Sequence, residues 1–321
     1  MIVYMKVLIT GGTGFVGSHA VAAIAGSGHE LRLLVRRPEQ VAASLDPRRA
    51  EEMRRTNVRA TELVLGQAVA PGLDPVVHVS TTVALTRYAG SGPDLPLGDI
   101  ELPYAQSKIA SEEVARRLQD TGDPVVTIYP GPVYGPNDPY RGHQSEMLRW
   151  ILLRRFPLWP GGGMHVSDVR DVAAVIAAVL EPARGPRRYV VPGHHVDGDQ
   201  LYGTFAEITG RRFPHLVLPG LVVGPLTRVI DAVQRRLPAR SHYPADPEAV
   251  EIVRRDTRFD DSAARKEFDL EPTPLVTTIG TRSTGSSSPD GCRVATCDDW
   301  KCQNDRTGVA YAVRQVWDQI N

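Results

Sequence analysis

Near its N-terminus the chain reads Val7-Leu8-Ile9-Thr10 and then Gly11-Gly12-Thr13-Gly14-Phe15-Val16-Gly17. We predict a strand over Lys6–Ile9, a turn on the glycines and a helix over His19–Ala25. Such a turn leaves backbone N–H groups and the positive end of the helix dipole facing outward, where a pyrophosphate fits. A glycine run can also be a plain tight turn, so the flanking strand and helix carry the functional interpretation.

Composition excludes several classes of partner. The chain of 321 residues has a formal net charge of zero and 6% aromatic residues, which predicts neither a nucleic-acid partner nor an anionic membrane partner. No stretch approaches the roughly 18 apolar residues that span a bilayer. Without the charged start of a signal peptide, a cytoplasmic protein is expected. Cys292, Cys297 and Cys302 lack the spacing of a zinc site, so no metal is predicted.

Strand and helix signals alternate along the chain, which predicts an α/β fold with a doubly wound parallel sheet. We expect a dinucleotide-binding domain over residues 1–160, with strands from 161–192 completing its sheet. A smaller substrate-binding lobe follows over 193–279, and 280–321 form an atypical, poorly ordered tail rich in Gly, Ser and Asp. The apolar stretch Leu216–Leu226 is expected to line a pocket or to pack in the core.

Tyr104 and Lys108 form a Y-x-x-x-K pattern within a predicted helix over Tyr104–Gln119. Residues four apart share one face of a helix, so the ammonium lies close to the phenol. A nearby positive charge stabilises a phenolate, and we therefore expect the pKa of the phenol to fall towards working pH. Such a group can move a proton on or off an alcohol oxygen. The alternative is an exposed Tyr and Lys that share a helix by chance.

Ser80, Thr81 and Thr82 follow the predicted strand Val76–Val79. Ligands of open parallel sheets bind at the carboxyl ends of the strands, so a hydroxyl there can hold a substrate oxygen while Tyr104 exchanges its proton. Hydroxyl residues at strand ends are common. Their value here comes from the order in which glycine turn, hydroxyl cluster and Y-x-x-x-K follow one another.

These motifs and several further segments resemble the extended short-chain dehydrogenase/reductases, the NAD-dependent epimerase/dehydratase family, and within it the dihydroflavonol-reductase-like and 3β-hydroxysteroid-dehydrogenase-like branch. The resemblance covers about residues 5–279. The matching residues are Thr10–Gly17, Thr56-Asn57-Val58 with Ala60-Thr61, His78-Val79-Ser80-Thr81, Tyr104 with Lys108, Tyr129–Pro136, Val166 with Asp168-Val169 and Asp171-Val172-Ala173, and Asp261–Ala264 with Pro272 and Leu275.

The resemblance implies a Rossmann-like fold and hydride exchange between a nicotinamide and a carbinol or ketone carbon of a small molecule. Tyr104 would be the acid/base, Lys108 would lower its pKa and bind the nicotinamide ribose, and Thr81 would be the catalytic hydroxyl. Relatives often dimerise through a helix pair that includes the Tyr/Lys helix. The implied cofactor site consists of Gly11, Gly12, Thr13, Gly14, Phe15, Val16, Gly17, Arg36, Arg37, Ser80, Tyr104, Lys108, Pro130, Gly131 and Val133.

The position of Arg36 favours NADP(H). NAD-preferring relatives carry an acid at the end of the second strand, where it binds the ribose 2′-hydroxyl, whereas Arg36 with Arg37 suits a 2′-phosphate. NAD(H) is the alternative cofactor.

Residues 36–75 are too few for a complete sheet of this kind. Three helices and two strands belong there, which take roughly 60 to 90 residues, but only forty are present. We therefore expect two central strands to be missing. Three functions stay open: an oxidoreductase acting on a hydrophobic alcohol or ketone, a nucleotide-sugar epimerase or dehydratase, and a catalytically degenerate member that only binds cofactor or is a truncated product.

Overall fold

The computed structural model describes residues 5–34, 50–88, 90–138, 143–234, 236 and 246–280. Several predictions fall outside these ranges: the cofactor residues Arg36 and Arg37, the three tail cysteines and most of the tail itself.

Helices and strands alternate through the described chain as the sequence predicts. The strands are β1 Lys6–Thr10, β2 Glu30–Leu34, β3 Val76–Val79, β4 Val125–Tyr129, β5 Val133–Tyr134, β6 Leu158–Pro160, β7 Gly163–Asp168, β8 Arg187–Val190, β9 His194–Asp197 and β10 Leu216–Leu218. The helices are α1 Phe15–Gly26, α2 Ala50–Val69, α3 Pro103–Asp120, α4 His143–Leu152, α5 Val169–Ala178, α6 Gly198–Thr209, α7 Gly220–Gln234, α8 Pro247–Arg255, α9 Ser262–Phe268 and α10 Leu275–Gly280, with a 3₁₀ turn at Thr82–Leu85.

The chain forms two compact units, each built from three separate segments of the sequence. Of the described residues, those within 5–132, 164–195 and 255–272 form the first unit, and those within 133–163, 196–254 and 273–280 form the second. Whether the predicted limits at residues 160 and 192 delimit functional domains stays a prediction.

The strand pairs β1–β2, β3–β4 and β4–β8 are all parallel, which confirms the α/β prediction. β1 pairs with β2 from Lys6 opposite Glu30 to Thr10 opposite Leu34. β3 pairs with β4, and β4 pairs with β8, in a second sheet of three strands. Among the described residues no strand joins β1 to β3, so the sheet is divided where the sequence predicts two missing strands.

The division leaves apolar side chains exposed. Leu8, in the middle of β1, is 59% exposed, and Leu33 and Leu34 of β2 are also exposed. By contrast, every residue of β4 is buried. A central strand of a doubly wound sheet is covered on both faces. With only the 41 residues 35–75 between β2 and β3, the described chain does not cover β1 in this way.

Two helix pairs flank these sheets. α2 packs against α3, and α1 packs against α5. Leu65 of α2, Ala115 of α3, Val76 of β3 and Val125 of β4 form one buried apolar cluster. This cluster fixes α3 against the β3–β4 edge, and α3 is the helix that carries Tyr104 and Lys108.

The second unit is held by a few close contacts. β6 and β10 pair in parallel. Buried Trp159 of β6 lies against Gly198, where a Cβ would stand 2.7 Å from the indole. Asp197 and Gln200 form a reciprocal capping box that begins α6, and Gly210 ends it in the left-handed conformation.

The prediction that Leu216–Leu226 packs in the core is wrong. This stretch divides into β10 and the start of α7, and of its side chains only Val223 is buried. The buried face of α7 falls on Val223, Thr227 and Gln234. Most of the Leu and Val side chains therefore point to solvent.

Leu8→Ala should lower the free energy of unfolding by less than about 1 kcal/mol, because the side chain is already largely hydrated. Leu85→Ala, the same change at a residue of the same unit with no exposure, should cost about 2–5 kcal/mol. Urea unfolding followed by circular dichroism measures both. Equal losses would show that β1 is covered in solution.

Candidate active site

The glycine turn between β1 and α1 has a backbone that only glycine accommodates. Gly11 has a φ of +72°, and the N–H of Gly14 donates to the carbonyl oxygen of Gly11 at 2.9 Å. A Cβ on Gly17 would overlap that carbonyl oxygen and stand 2.9 Å from Cα of Gly12. The first turn of α1 is thus pressed directly onto the loop.

The N-terminus of α1 is open to an anion. Gly14 is the N-cap and supplies no side-chain cap, and the first helical turn contains no acidic residue. Its N–H groups and the helix dipole therefore favour a bound negative charge. The predicted residues that the structure brings together in this one turn are Gly11, Gly12, Thr13, Gly14, Phe15, Val16 and Gly17.

The carboxyl ends of β3 and β4 lie side by side. The N–H of Ser80 donates to the carbonyl oxygen of Ile128 at 2.9 Å, and the N–H of Thr82 donates to the carbonyl oxygen of Pro130 at 2.9 Å. Gly131 lies against the backbone of His165 so closely that a Cβ would overlap the His165 carbonyl oxygen. Ser80, Thr81, Pro130 and Gly131 therefore share one edge of the second sheet.

Thr81 is the N-cap of the 3₁₀ turn. Its Oγ1 accepts a hydrogen bond from the N–H of Val83 at 3.3 Å. A hydroxyl that accepts in this way keeps its own proton to donate, so Thr81 can still offer a hydrogen bond to a substrate oxygen. The cap also holds the side chain in one orientation.

Tyr104 and Lys108 lie on one face of α3, which packs beside the 3₁₀ turn that follows Thr81. Pro103 occupies the first turn of α3, where its missing N–H costs nothing. The Nζ atom of Lys108 stands 5.7 Å from the centroid of the Tyr104 ring. Burial lowers the pKa of Lys108, because desolvation disfavours its charged form.

Asn57 connects α2 to this helix. Its Nδ2 donates to Oγ of Ser107 at 3.2 Å, and the Ser107 hydroxyl donates to the carbonyl oxygen of Tyr104 at 2.8 Å. Asn57 is one of the residues that match the family, and no role was predicted for it from the sequence. The sequence gives no signal for this contact, because the amide becomes half-buried and needs a partner only when α2 packs on α3.

A buried carboxylate lies one helical turn beyond Lys108. Glu112 is fully buried; its Oε1 accepts from the Tyr129 hydroxyl at 2.6 Å and from Nε of Arg116 at 3.2 Å. Desolvation raises the pKa of Tyr129, and the charge of Glu112 adds to that rise. Burial lowers the pKa of His78 on β3, with Lys108 contributing in the same direction and Glu112 opposing it. Sequence reasoning assigned no role to Glu112.

Three predicted cofactor residues do not belong to the described part of the first unit. Val133 begins β5 in the second unit, and Arg36 and Arg37 lie outside the described residues. No helix that the structure describes is long and apolar enough to cross a membrane.

Two curated proteins resemble this chain over most of their length. The first is "Sterol demethylase protein B" of Methylococcus capsulatus, 24% identical over 309 residues, which are 84% of this chain and 94% of that protein. The second is "Putative dihydroflavonol 4-reductase" of Synechocystis sp., 26% identical over 308 residues, which are 82% of this chain and 89% of that protein.

Each of these alignments has more positions than the number of residues of this chain that it covers. The first takes in about 270 of the 321 residues here, so about 40 of its 309 positions have no counterpart in this chain. That difference matches the size of two strands and a helix.

Solved structures show the same fold. A short-chain dehydrogenase/reductase superfamily protein from Agrobacterium tumefaciens with bound NAD has a TM-score of 0.59 at 17% identity, covering 86% of this chain and 94% of that chain.

The sequence model of the NAD dependent epimerase/dehydratase family matches residues 7–49 and 42–191. The two matches overlap at residues 42–49, which lie in the shortened segment between β2 and α2. Together they span more than half of the chain and include the glycine turn, the β3–β4 edge and α3. The chain therefore belongs to the NAD-dependent epimerase/dehydratase family, whose members are NAD-dependent oxidoreductases and epimerases of Rossmann fold.

Proposed function

We propose that this chain transfers hydride between a nicotinamide cofactor and the alcohol or ketone carbon of an apolar small molecule, with Tyr104 as the acid/base. The observation that carries the proposal is the Lys108 ammonium, 5.7 Å from the centre of the Tyr104 ring on a helix packed beside the hydroxyl-bearing edge of the sheet. A cation at this distance stabilises a phenolate relative to a phenol.

The residues present fit a dinucleotide. Gly17 has no Cβ and lies directly against Gly11, so the backbone of the turn can approach a ligand closely. The N-terminus of α1 holds no competing carboxylate. When bound, the nicotinamide would accept or supply the hydride. The pyrophosphate would lie on the glycine turn, and Lys108 would hold the nicotinamide ribose.

Proton movement falls to the chain itself. In the direction of oxidation the Tyr104 phenolate takes the proton of the substrate hydroxyl as the carbinol carbon loses hydride. In the direction of reduction the Tyr104 phenol returns that proton to the developing alkoxide. Thr81 donates a hydrogen bond to the same oxygen, which orients it towards Tyr104. Lys108 favours the phenolate in both directions.

An apolar substrate is favoured over a nucleotide sugar by the names of the two curated relatives, a sterol demethylase protein and a dihydroflavonol reductase. A nucleotide sugar carries a diphosphate that needs its own cationic partners. Turnover of a nucleotide sugar in a substrate screen would reject this part of the proposal.

NADP(H) is the proposed cofactor, on the ground that Arg36 and Arg37 come shortly after β2 in the sequence, where NAD-preferring relatives carry an acid instead. NAD(H) is the alternative, since the Agrobacterium tumefaciens structure holds NAD.

A catalytically degenerate protein is the second candidate, and the divided sheet favours it. The glycine turn belongs to the β1–β2 sheet, whereas Thr81 and Tyr104 belong with the β3–β4–β8 sheet. Hydride transfer needs both at one dinucleotide. Tight cofactor binding without any turnover would support this candidate.

Gly17→Ala should weaken binding of NADPH by at least about tenfold, because the added methyl group displaces the turn that receives the pyrophosphate. Gly26→Ala on the same helix, with open space around its Cβ, is the matched control and should bind as the unaltered chain does. Fluorescence titration of the purified full chain measures both. Equal affinities would remove the glycine turn from the cofactor site.

Arg36→Ala should weaken NADPH binding by about tenfold or more, the value of one charge-assisted hydrogen bond, and should leave NADH binding unchanged. Arg32→Ala, which removes a surface arginine paired with Glu30 at 3.7 Å, is the control. The same titration is run with each cofactor. A parallel loss for NADH would contradict the 2′-phosphate assignment, and binding of neither cofactor to the unaltered chain would indicate a truncated product.

Tyr104→Phe should lower kcat by about 10²–10⁴-fold, the usual contribution of a general acid/base, with cofactor affinity retained. Tyr88→Phe removes an equivalent hydroxyl at an exposed position and should leave kcat unchanged. Oxidation of NADPH at 340 nm, followed with a panel of apolar ketones, is the assay. Turnover by Tyr104→Phe would exclude the phenol from the chemistry.

A further inference from the structure

Helix α7 presents an apolar surface to solvent. Of its exposed residues, all but Arg228 are apolar: Leu221, Val222, Pro225, Leu226, Val229, Ala232 and Val233. Leu216 and Val217 of β10, immediately before the helix, are exposed as well. We call this surface, α7 with Leu216 and Val217, the α7 face.

The distribution of polar residues on α7 is the reverse of that in an ordinary surface helix. Two of its three buried residues, Thr227 and Gln234, are polar, whereas the outward arc is aliphatic. A helix of a soluble protein buries its apolar stripe and hydrates its polar one. An exposed apolar patch of this size is a sign of an interaction surface.

The sequence of α7 and its flanks is basic. Residues 211–236 contain five arginines and one aspartate, in a chain whose overall net charge is zero. Arg212 lies shortly before β10, Arg228 lies at the edge of the apolar arc, and Arg236 follows the helix; all three are exposed. Cations that flank an aliphatic helix face are the pattern of helices that lie in a membrane interface.

We propose that the α7 face docks on the surface of an anionic lipid bilayer, with α7 lying in the plane of the interface. At about 1.5 Å per residue its 15 residues are about 22 Å long, which suits an interfacial helix rather than a spanning one. The proposal does not depend on the proposed activity, since docking requires neither cofactor nor turnover.

A second copy of the chain fits this surface less well. The exposed apolar arc extends from Leu221 to Leu226 around the helix and is wider than the narrow seam of paired helices. It offers no aromatic side chain, the usual anchor of a protein interface. A symmetric contact would also bring two arginine-rich surfaces together, whereas anionic headgroups neutralise them.

The test is co-sedimentation of the full chain with vesicles of phosphatidylcholine and with vesicles of phosphatidylcholine mixed with phosphatidylglycerol. We expect binding to the anionic vesicles, weaker binding to the neutral ones, and a decrease with added salt. Leu226→Glu should lower the bound fraction by about fivefold or more, since it removes an inserted side chain and adds a repelled charge.

Leu73→Glu is the matched control, because Leu73 is 47% exposed and Leu226 is 42% exposed. It should bind vesicles as the unaltered chain does. Leu221→Glu, at a side chain 81% exposed, changes the α7 face without disturbing its packing and should reproduce the loss. Circular dichroism confirms that each variant is folded.

Three results would overturn the proposal. They are the absence of vesicle binding by the unaltered chain, undiminished binding by both α7 variants, and a dimer that Leu226→Glu dissociates in analytical ultracentrifugation without any vesicle binding. The last would assign the α7 face to contact between two copies of the chain.

Discussion

The length of chain between β2 and β3 is the constraint on which the rest of this structure depends. The 41 residues 35–75 connect two strands between which a full doubly wound sheet has two further strands along the chain. In the described chain β1–β2 and β3–β4–β8 form separate sheets, and Leu8 of β1 is exposed as a result. The glycine turn and the Tyr104–Lys108 pair are consequently anchored on different sheets, and α1 is held through its packing on α5. Cofactor binding is thus the property most sensitive to this shortening.

Burial acts on the Tyr104–Lys108 pair in two opposing ways. It lowers the pKa of Lys108, which favours the neutral amine. The same low-polarity surroundings strengthen the effect of a charged Lys108 on the phenol, because the interaction is less screened there. The fully buried Glu112 lies one turn further along α3 and is held by Tyr129 and Arg116. Glu112 and Lys108 are four residues apart and share one face of α3, so the two helix positions have to be considered together.

The sequence predicts well what depends on local pattern. The turn at Gly11–Gly17, the parallel strands and the shared face of Tyr104 and Lys108 follow from spacing, and the structure has them. The features that the sequence could not predict depend on which helices pack against each other. The hydrogen bond of Asn57 to Ser107 requires α2 to lie on α3, and these residues are fifty positions apart. The prediction that Leu216–Leu226 packs in the core was wrong for a related reason, because apolar content does not say which side of a helix is buried.

A net charge of zero also conceals how charge is placed. The sequence argument against an anionic partner used the sum over 321 residues, whereas attraction to a surface falls off within a Debye length of about 10 Å. Residues 211–236 contain five arginines and one aspartate, so the charge nearest to α7 along the chain is positive although the total is zero. Electrostatic attraction and aliphatic exposure coincide on α7. Since neither alone distinguishes a membrane from a protein partner, their coincidence on one helix is the argument for lipid.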